Sequence, residues 1–246
     1  MERCGKEWRM RLEKKEERLK QRLSWMLLFL IFVLTTGCVA SSQPSAPPLP
    51  PANDTQVNMR DLPYPNGKRA LVAIAGFENK STYSADRLWD TSSRLLASAL
   101  IQANYFRVVE WEKMKQLFDW DTLSNASLVK SPDDLKRAQR ILLCEYFVTG
   151  TITFFNIKQH AQVSAMSKSK VLDTTVRVDL LLQDARTGEY LSASNGEHTV
   201  RQSYTAGMSG GQTGSWDSHS GDEALSQAIN KALYNLVLNF HSRRRG

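Results

Sequence analysis

The sequence predicts an α/β fold of the α+β kind, a mixed, largely antiparallel sheet packed with helices. Three observations predict it. Strand-like and helix-like segments alternate between residues 68 and 142, the hydrophobic period then changes from helical to two, and an amphipathic helix closes the chain. About 180 residues are available for this fold after a proline-rich stretch, enough for one domain with a sizeable core, and the 41% hydrophobic content is ordinary for a globular chain.

The first 66 residues read differently. Trp25–Leu34 is a run of ten apolar residues, half of the roughly 20 that a bilayer-spanning helix needs. Lys14, Lys15, Arg18, Lys20 and Arg22 precede it, and the small residues Thr35, Thr36 and Gly37 follow it, which is the layout of a secretory signal. Residues 1–37 are therefore expected to be a signal peptide, with translation starting at Met1 or Met10. Next comes Cys38, and here the chain resembles a bacterial lipoprotein precursor. That resemblance implies cleavage before Cys38 and lipid on its sulfur and its new amino group. Val39 stands where an inner-membrane retention signal has aspartate, so the resemblance also implies the outer membrane, facing the periplasm. Each buried acyl methylene adds about 0.8 kcal/mol of membrane affinity, so several chains on one residue hold a protein firmly. Seven of the eight prolines lie between residues 44 and 65, and residues 38–66 read as the lipidated cysteine and an extended tether.

The domain is expected over residues 67–241. "KRALVAIAGF" (68–77) is a near-continuous apolar run, the pattern of a buried strand. "ADRLWDTSSRLLASALIQAN" (85–104) reads as a helix with Leu88, Leu95, Ala99 and Ala103 along one side. "YFRVVEW" (105–111) reads as a second, short strand and "EKMKQLFDW" (112–120) as a short amphipathic helix. In "SPDDLKRAQRIL" (131–142), Ser131 can accept from the free amides of a helix start and Pro132 fits the first helical position, while Asp133 and Asp134 complement the dipole. "CEYFVTGTITFFNI" (144–157) and "DTTVRVDLLLQDA" (173–185) alternate as strands, the second with Val176, Val178, Leu180 and Leu182 on one face. Gly188 then permits the left-handed backbone of a hairpin loop, and a strand returns from Glu189 toward Tyr204. The closing helix (221–240) puts Leu225, Ile229, Leu233, Leu236 and Phe240 on one face behind an acidic first turn, and residues 242–246 form a solvated basic tail.

Charge and side-chain chemistry exclude several functions. The net charge is +7, but residues 1–37 hold nine basic and five acidic residues, leaving 23 against 20, a net of +3. That excess is not gathered on one face with stacking aromatics, so no nucleic-acid partner is expected. His160, His198, His219 and His241 have no metal-ligand spacing and sit in polar sequence, where they read as solvated. Asp119 and Asp121 in "FDWD" are acidic residues at a helix end, and "SWDSHSGDE" around His219 lacks a nucleophile elbow. "GMSGGQTG" lacks the lysine of a phosphate loop. No catalytic residue, metal, cofactor or small-molecule substrate is expected. Cys4 leaves with the signal and Cys38 carries lipid, so Cys144 reads as a buried small hydrophobe.

The lipid site, the "GKRALVAIAGFEN" start, "LLASALIQANYFRVVEW", the "DARTGE" turn between strands and the "DEALSQAINKALYNLV" helix occur in one order over residues 67–240. On these residues the chain resembles the CsgG family, the curli production assembly and transport component. The resemblance implies an outer-membrane lipoprotein that assembles into a homo-oligomeric ring, whose protomers give hairpins to a shared barrel exporting fibre subunits, with periplasmic or secreted proteins as partners. It also implies that the loop after the first strand, "FENKSTYSADRLW", narrows the passage, with Asn79 and Tyr83 in the comparable places. The alternative is a poreless periplasmic adaptor of the penicillin-binding-protein activator type. Two segments would supply barrel hairpins, residues 155–176 and residues 198–221 about Gly210 and Gly211. Membrane strands need about 9 to 11 residues with alternate apolar positions and aromatics at both interfaces. No aromatic occurs from 156 to 189, and the second segment is mostly Ser, Thr and Gly.

Overall fold

The computed structural model describes residues 57–84, 87–163, 167–207 and 215–244; the expected signal peptide, Cys38 and most of the tether lie outside the described residues, as do Gly210 and Gly211. The packed body begins before residue 67. A 3-10 turn at Met59–Asp61 is capped by the Asn58 side chain, which accepts from the Arg60 N–H at 3.1 Å. This turn delivers Met59 and Leu62 into the core, so the last part of the proline-rich segment is tied to the domain by two apolar side chains.

Five strands form one sheet: β1 (Leu71–Asn79), β2 (Arg107–Val108), β3 (Tyr146–Val163), β4 (Ser167–Asp184) and β5 (Tyr190–Gly207), in the order β2-β1-β3-β4-β5. β1 is parallel to β2 and β3, and β3, β4 and β5 form an antiparallel meander. The sheet is thus mixed and largely antiparallel, because the parallel ladders are short and the antiparallel ones run along strands of 18 residues. At about 3.3 Å per residue, such strands are about 60 Å long. All three outrun the segments expected for them, since polar residues pair through the backbone as well as apolar ones do. β2 is shorter than expected. Its last bond is Val109 N–H to Val72 O, 2.8 Å, and Trp111 already opens a helix.

The helices are α1 (Leu88–Ala103), α2 (Trp111–Leu117), α3 (Trp120–Ser124), α4 (Pro132–Leu142) and α5 (Ser218–Arg243). α4 is capped as its sequence indicates, with the Ser131 hydroxyl accepting from Asp134 N–H and Pro132 at the first turn. α1 buries Leu88, Ser92, Leu96, Ala99 and Leu100, while Leu95 and Ala103 fall on the flank. The stripe is rotated because Ser92 and Ser93 can face inward, donating to Leu88 O at 2.7 Å and Trp89 O at 2.8 Å. α5 buries its expected stripe, Leu225, Ile229, Leu233, Leu236 and Phe240. Its first turn is not acidic: Asp217 is the cap and accepts from Ser220 N–H at 2.9 Å, which moves Asp222 and Glu223 into the second turn.

Two close approaches fix the layers. On one face, the Ser192 hydroxyl donates to Leu236 O at 3.2 Å and the Ser194 hydroxyl to Ala232 O at 2.7 Å, so the backbone of α5 lies directly on β5. A Cβ at Gly196 would stand 2.2 Å from Ala228 O and 2.5 Å from Ala232 N. Ala224, Ala228 and Ala232 supply the matching small surface on the helix. On the opposite face, Gly76 lies at an irregularity of the β1–β3 ladder with φ 137°, and a Cβ there would meet Leu123 O of α3 at 2.2 Å.

The β4–β5 turn follows from "DARTGE". Asp184 Oδ1 accepts from Arg186 N–H at 2.8 Å and Thr187 N–H at 3.0 Å. Gly188 adopts φ 79° and its carbonyl accepts from Gln183 Nε2 at 2.6 Å.

Gly196→Ala is expected to force α5 off β5 and to cost about 1 to 3 kcal/mol, the range for overpacked interiors, read as a lower thermal midpoint by circular dichroism. A comparably small enlargement at an exposed position of the same strand, Ala193→Ser, is expected to leave the midpoint unchanged.

Candidate functional site

The three long strands leave the helices behind. Val176, Val178, Leu180 and Leu182 are fully buried, as their alternation requires, and the apolar core closes near Phe155, Leu172 and Thr174. Beyond that line a three-stranded ribbon continues through residues 156–163, 167–173 and 201–207. The register fixes its two faces. One carries Ile157, Gln159 and Ala161 beside Leu172 and Lys170, and Val200, Gln202 and Tyr204. The other carries Lys158 and His160 beside Asp173 and Val171, and Arg201 and Ser203. Apolar residues cluster at the root of the ribbon and give way to polar ones, so neither face shows the continuous outward apolar band of a membrane strand over these residues.

The second face is laced across strands. Arg201 donates from Nε to Asp173 Oδ1 at 2.7 Å and from a terminal nitrogen to Oδ2 at 3.0 Å, a two-point grip. His160 Nε2 lies 4.0 Å from the same carboxylate. The hydrogen bonds from Arg201 hold the Asp173 carboxyl below the usual carboxylate range, against a smaller upward push from burial. One rung nearer the core, the Thr175 and Thr199 hydroxyls share a 2.8 Å bond, and Arg177 reaches Glu197 at 2.5 Å. Opposite charges directly facing each other fix the register.

The loop after β1 sits at the root of the ribbon. Asn79 is exposed, and its side chain holds the loop by donating to Tyr83 O at 2.7 Å and accepting from Ser81 N–H at 3.0 Å. The Tyr83 ring stacks on Phe155, with centroids 4.1 Å apart and planes within 10°, and meets Trp216 edge-on at 5.9 Å. Trp216 Nε1 donates in turn to the Thr174 hydroxyl at 3.0 Å. Asn79 and Tyr83 are thus in one loop, but Tyr83 is anchored to the body by two aromatic neighbours. Phe155 bounds the first candidate hairpin and Trp216 lies near the end of the second, but the sequence gives no sign that either meets Tyr83, because both are remote from it in the chain.

Other residues take different places from those their sequence suggests. His160 and His219 are exposed, whereas His198 and His241 are buried. The expectation of four solvated histidines is therefore corrected: His198 lies on the inward face of β5 opposite Val176, and His241 turns toward Tyr105, whose hydroxyl is 3.0 Å from Nδ1. The tail is also less free than expected. Arg243 donates to Leu191 O at 2.7 Å, and the Arg244 guanidinium lies 5.5 Å above the Phe240 ring. Asp119 caps α3 by accepting from Thr122 N–H at 2.8 Å, which lowers its carboxyl from the ordinary range. Asp121 lies in the first turn of that helix. Cys144 is buried, and burial pushes its thiol up to about 12. Among the described residues no group of three His, Cys, Asp or Glu side chains converges as for a metal, and no described helix is long and apolar enough to cross a membrane.

Asp173→Asn is expected to cost about 1 kcal/mol at pH 7, the upper end for ion pairs near a surface. A depressed carboxyl contributes stability that is full above its unfolded value, about 3.9, and is lost as pH falls through the folded one. The gap in thermal midpoint between parent and variant should therefore be constant from pH 7 to about pH 5 and close below about pH 4.

The family described as "Curli production assembly/transport component CsgG" matches residues 52–243. No curated protein matches the chain. Among solved structures, the chain is similar to the lipoprotein GNA1162 from Neisseria meningitidis, at 17% identity over 59% of this chain and 88% of that one, with a TM-score of 0.35. It is similar to the LpoB C-terminal domain from Salmonella enterica at 15% identity, over 56% of this chain and 88% of that one, with a TM-score of 0.36. For the PelC dodecamer from Paraburkholderia phytofirmans the values are 14% identity, 71% and 93%, and 0.37. The family match begins in the proline-rich segment that delivers Met59 to the core and ends at the last residue of α5, Arg243, and with the whole described body inside it, the chain belongs to the CsgG family.

Proposed function

We propose that this chain is an outer-membrane lipoprotein, anchored through lipid on Cys38 and facing the periplasm, that acts as a ring in the assembly or transport of extracellular fibre subunits such as curli. The observation that carries the reading is the family match across the entire body, joined to a signal-like leader that ends at a lone cysteine. In this reading the loop 79–83 faces the passage, with Asn79 and Tyr83 narrowing it, and the partners are periplasmic or secreted proteins.

A second reading is favoured by one observation, the Asp173–Arg201 grip and the polar rungs on the ribbon, which suit water better than hydrocarbon. It makes the chain a poreless periplasmic adaptor of the activator type, with the same anchor.

Detergent extraction followed by sizing separates the two. A large, heat-resistant ring that conducts ions in a planar bilayer is expected for the first reading, and a monomer without conductance for the second. Mass spectrometry of the purified chain is expected to find Cys38 at the N-terminus with acyl chains, and Cys38→Ala is expected to leave the protein out of the membrane fraction; an unmodified Cys38 thiol would sink both readings. Asn79→Ala is expected to raise single-channel conductance, whereas Tyr83→Ala should also lower the thermal midpoint, because it strips the stack from Phe155.

A further inference from the structure

Beside the root of the ribbon lies a small cavity of about 180 Å³, lined by Tyr83, Leu88, Phe155 and Trp216 together with Thr91, Ser218, Gly221 and Asp222. Three aromatic rings meet there, with Tyr83 stacked on Phe155 and edge-on to Trp216. Gly221 is part of the construction, since a Cβ would stand 3.1 Å from Trp216 and 3.2 Å from Phe155 and would fill the floor. Asp222 stands exposed at the edge, and among the described residues its carboxylate has no hydrogen bond and no ion pair. The family reading gives this cavity no role.

Aromatic faces carry negative potential and attract cations, most strongly where a carboxylate is near. Thr91 and Ser218 add hydroxyl oxygens that can accept from N–H groups. The positive end of α5 opposes a cation here with about half a charge. Asp217 offsets that end by capping it, accepting from Ser220 N–H at 2.9 Å, and Asp222 at the cavity edge adds a full negative charge. The volume is below the roughly 300 to 1,000 Å³ of pockets that enclose whole small molecules, and suits a single side chain. A planar guanidinium stacks on ring faces while donating from its edge, and a compact ammonium has no flat face to stack.

We propose that the cavity between Tyr83, Phe155 and Trp216, with Asp222 at its edge, is a docking site for an arginine side chain of a polypeptide partner. It shares Tyr83 with the loop placed at the passage but rests on neither the anchor nor the ring, and would survive an unmodified Cys38. The full chain, labelled with 5-fluorotryptophan in maltoside detergent, supplies the test, with the Trp216 fluorine resonance assigned by its loss in Trp216→Phe. N-acetylarginine methylamide is expected to shift that resonance saturably. Its neutral isostere N-acetylcitrulline methylamide should bind at least about fivefold more weakly, and Asp222→Asn should weaken the arginine probe about three- to fivefold with an unchanged thermal midpoint. Equal response to the citrulline probe, an unmoved Trp216 resonance, or undiminished affinity in Asp222→Asn overturns the proposal. A larger shift with phosphatidylcholine vesicles than with the arginine probe also overturns it, by assigning the cavity to a lipid headgroup.

Discussion

The contact on which the rest depends is the seam between α5 and β5. Helices normally stand off a sheet by the depth of their side chains, but here Ser192, Ser194 and Gly196 let the helix backbone come down onto the strand. The two hydroxyls meet carbonyls of the helix, so the approach leaves these groups satisfied. With the helix this low, its larger residues, Leu225, Ile229, Leu233 and Leu236, reach over β4 toward α1, and all four are fully buried. Burial of such a side chain contributes about 1.5 to 3 kcal/mol, so the stripe is a main source of stability, and the small seam sets where it lies.

From the seam the architecture propagates to both ends of the helix. At its C-terminal end Phe240 packs against Phe106 and Tyr146, with centroids 5.8 and 5.4 Å away, and His241 faces Tyr105. At its N-terminal end Asp217 fixes the start, and Trp216 just before it closes over Tyr83 and Phe155. The same helix thereby positions the root of the ribbon and the loop after β1, which is where the candidate functional residues gather.

Much of this was legible locally. Ser131 and Pro132 announce α4 because capping is decided within four residues, and Gly188 announces the hairpin because only a residue without Cβ takes φ 79° freely. The inward face of β4 and the stripe of α5 follow from period alone. What escaped are contacts between distant residues. Ser192, Ser194 and Gly196 lie in an expected strand, but nothing in the sequence marks their face as buried until a helix is laid on it, and His198 and His241 look solvated because polar neighbours surround them in the chain rather than in space. The loop residues Asn79 and Tyr83 were picked out by the family resemblance, yet the stack that holds Tyr83 depends on Phe155, more than seventy residues further on.

The helix that closes the sheet follows all five strands in the chain. Until α5 emerges, the inward face of β4, with Val176, Val178, Leu180 and Leu182, has nothing to lie against. β3 and β5, its neighbours in the order, cannot compensate, because they pair with its edges and leave that face open, and α1 packs on the same helix. That face of the sheet therefore stays uncovered until residues 218–243 are made. A ribosome that has made β5 but not α5 thus holds a sheet with one open apolar face, the kind of surface that chaperones cover.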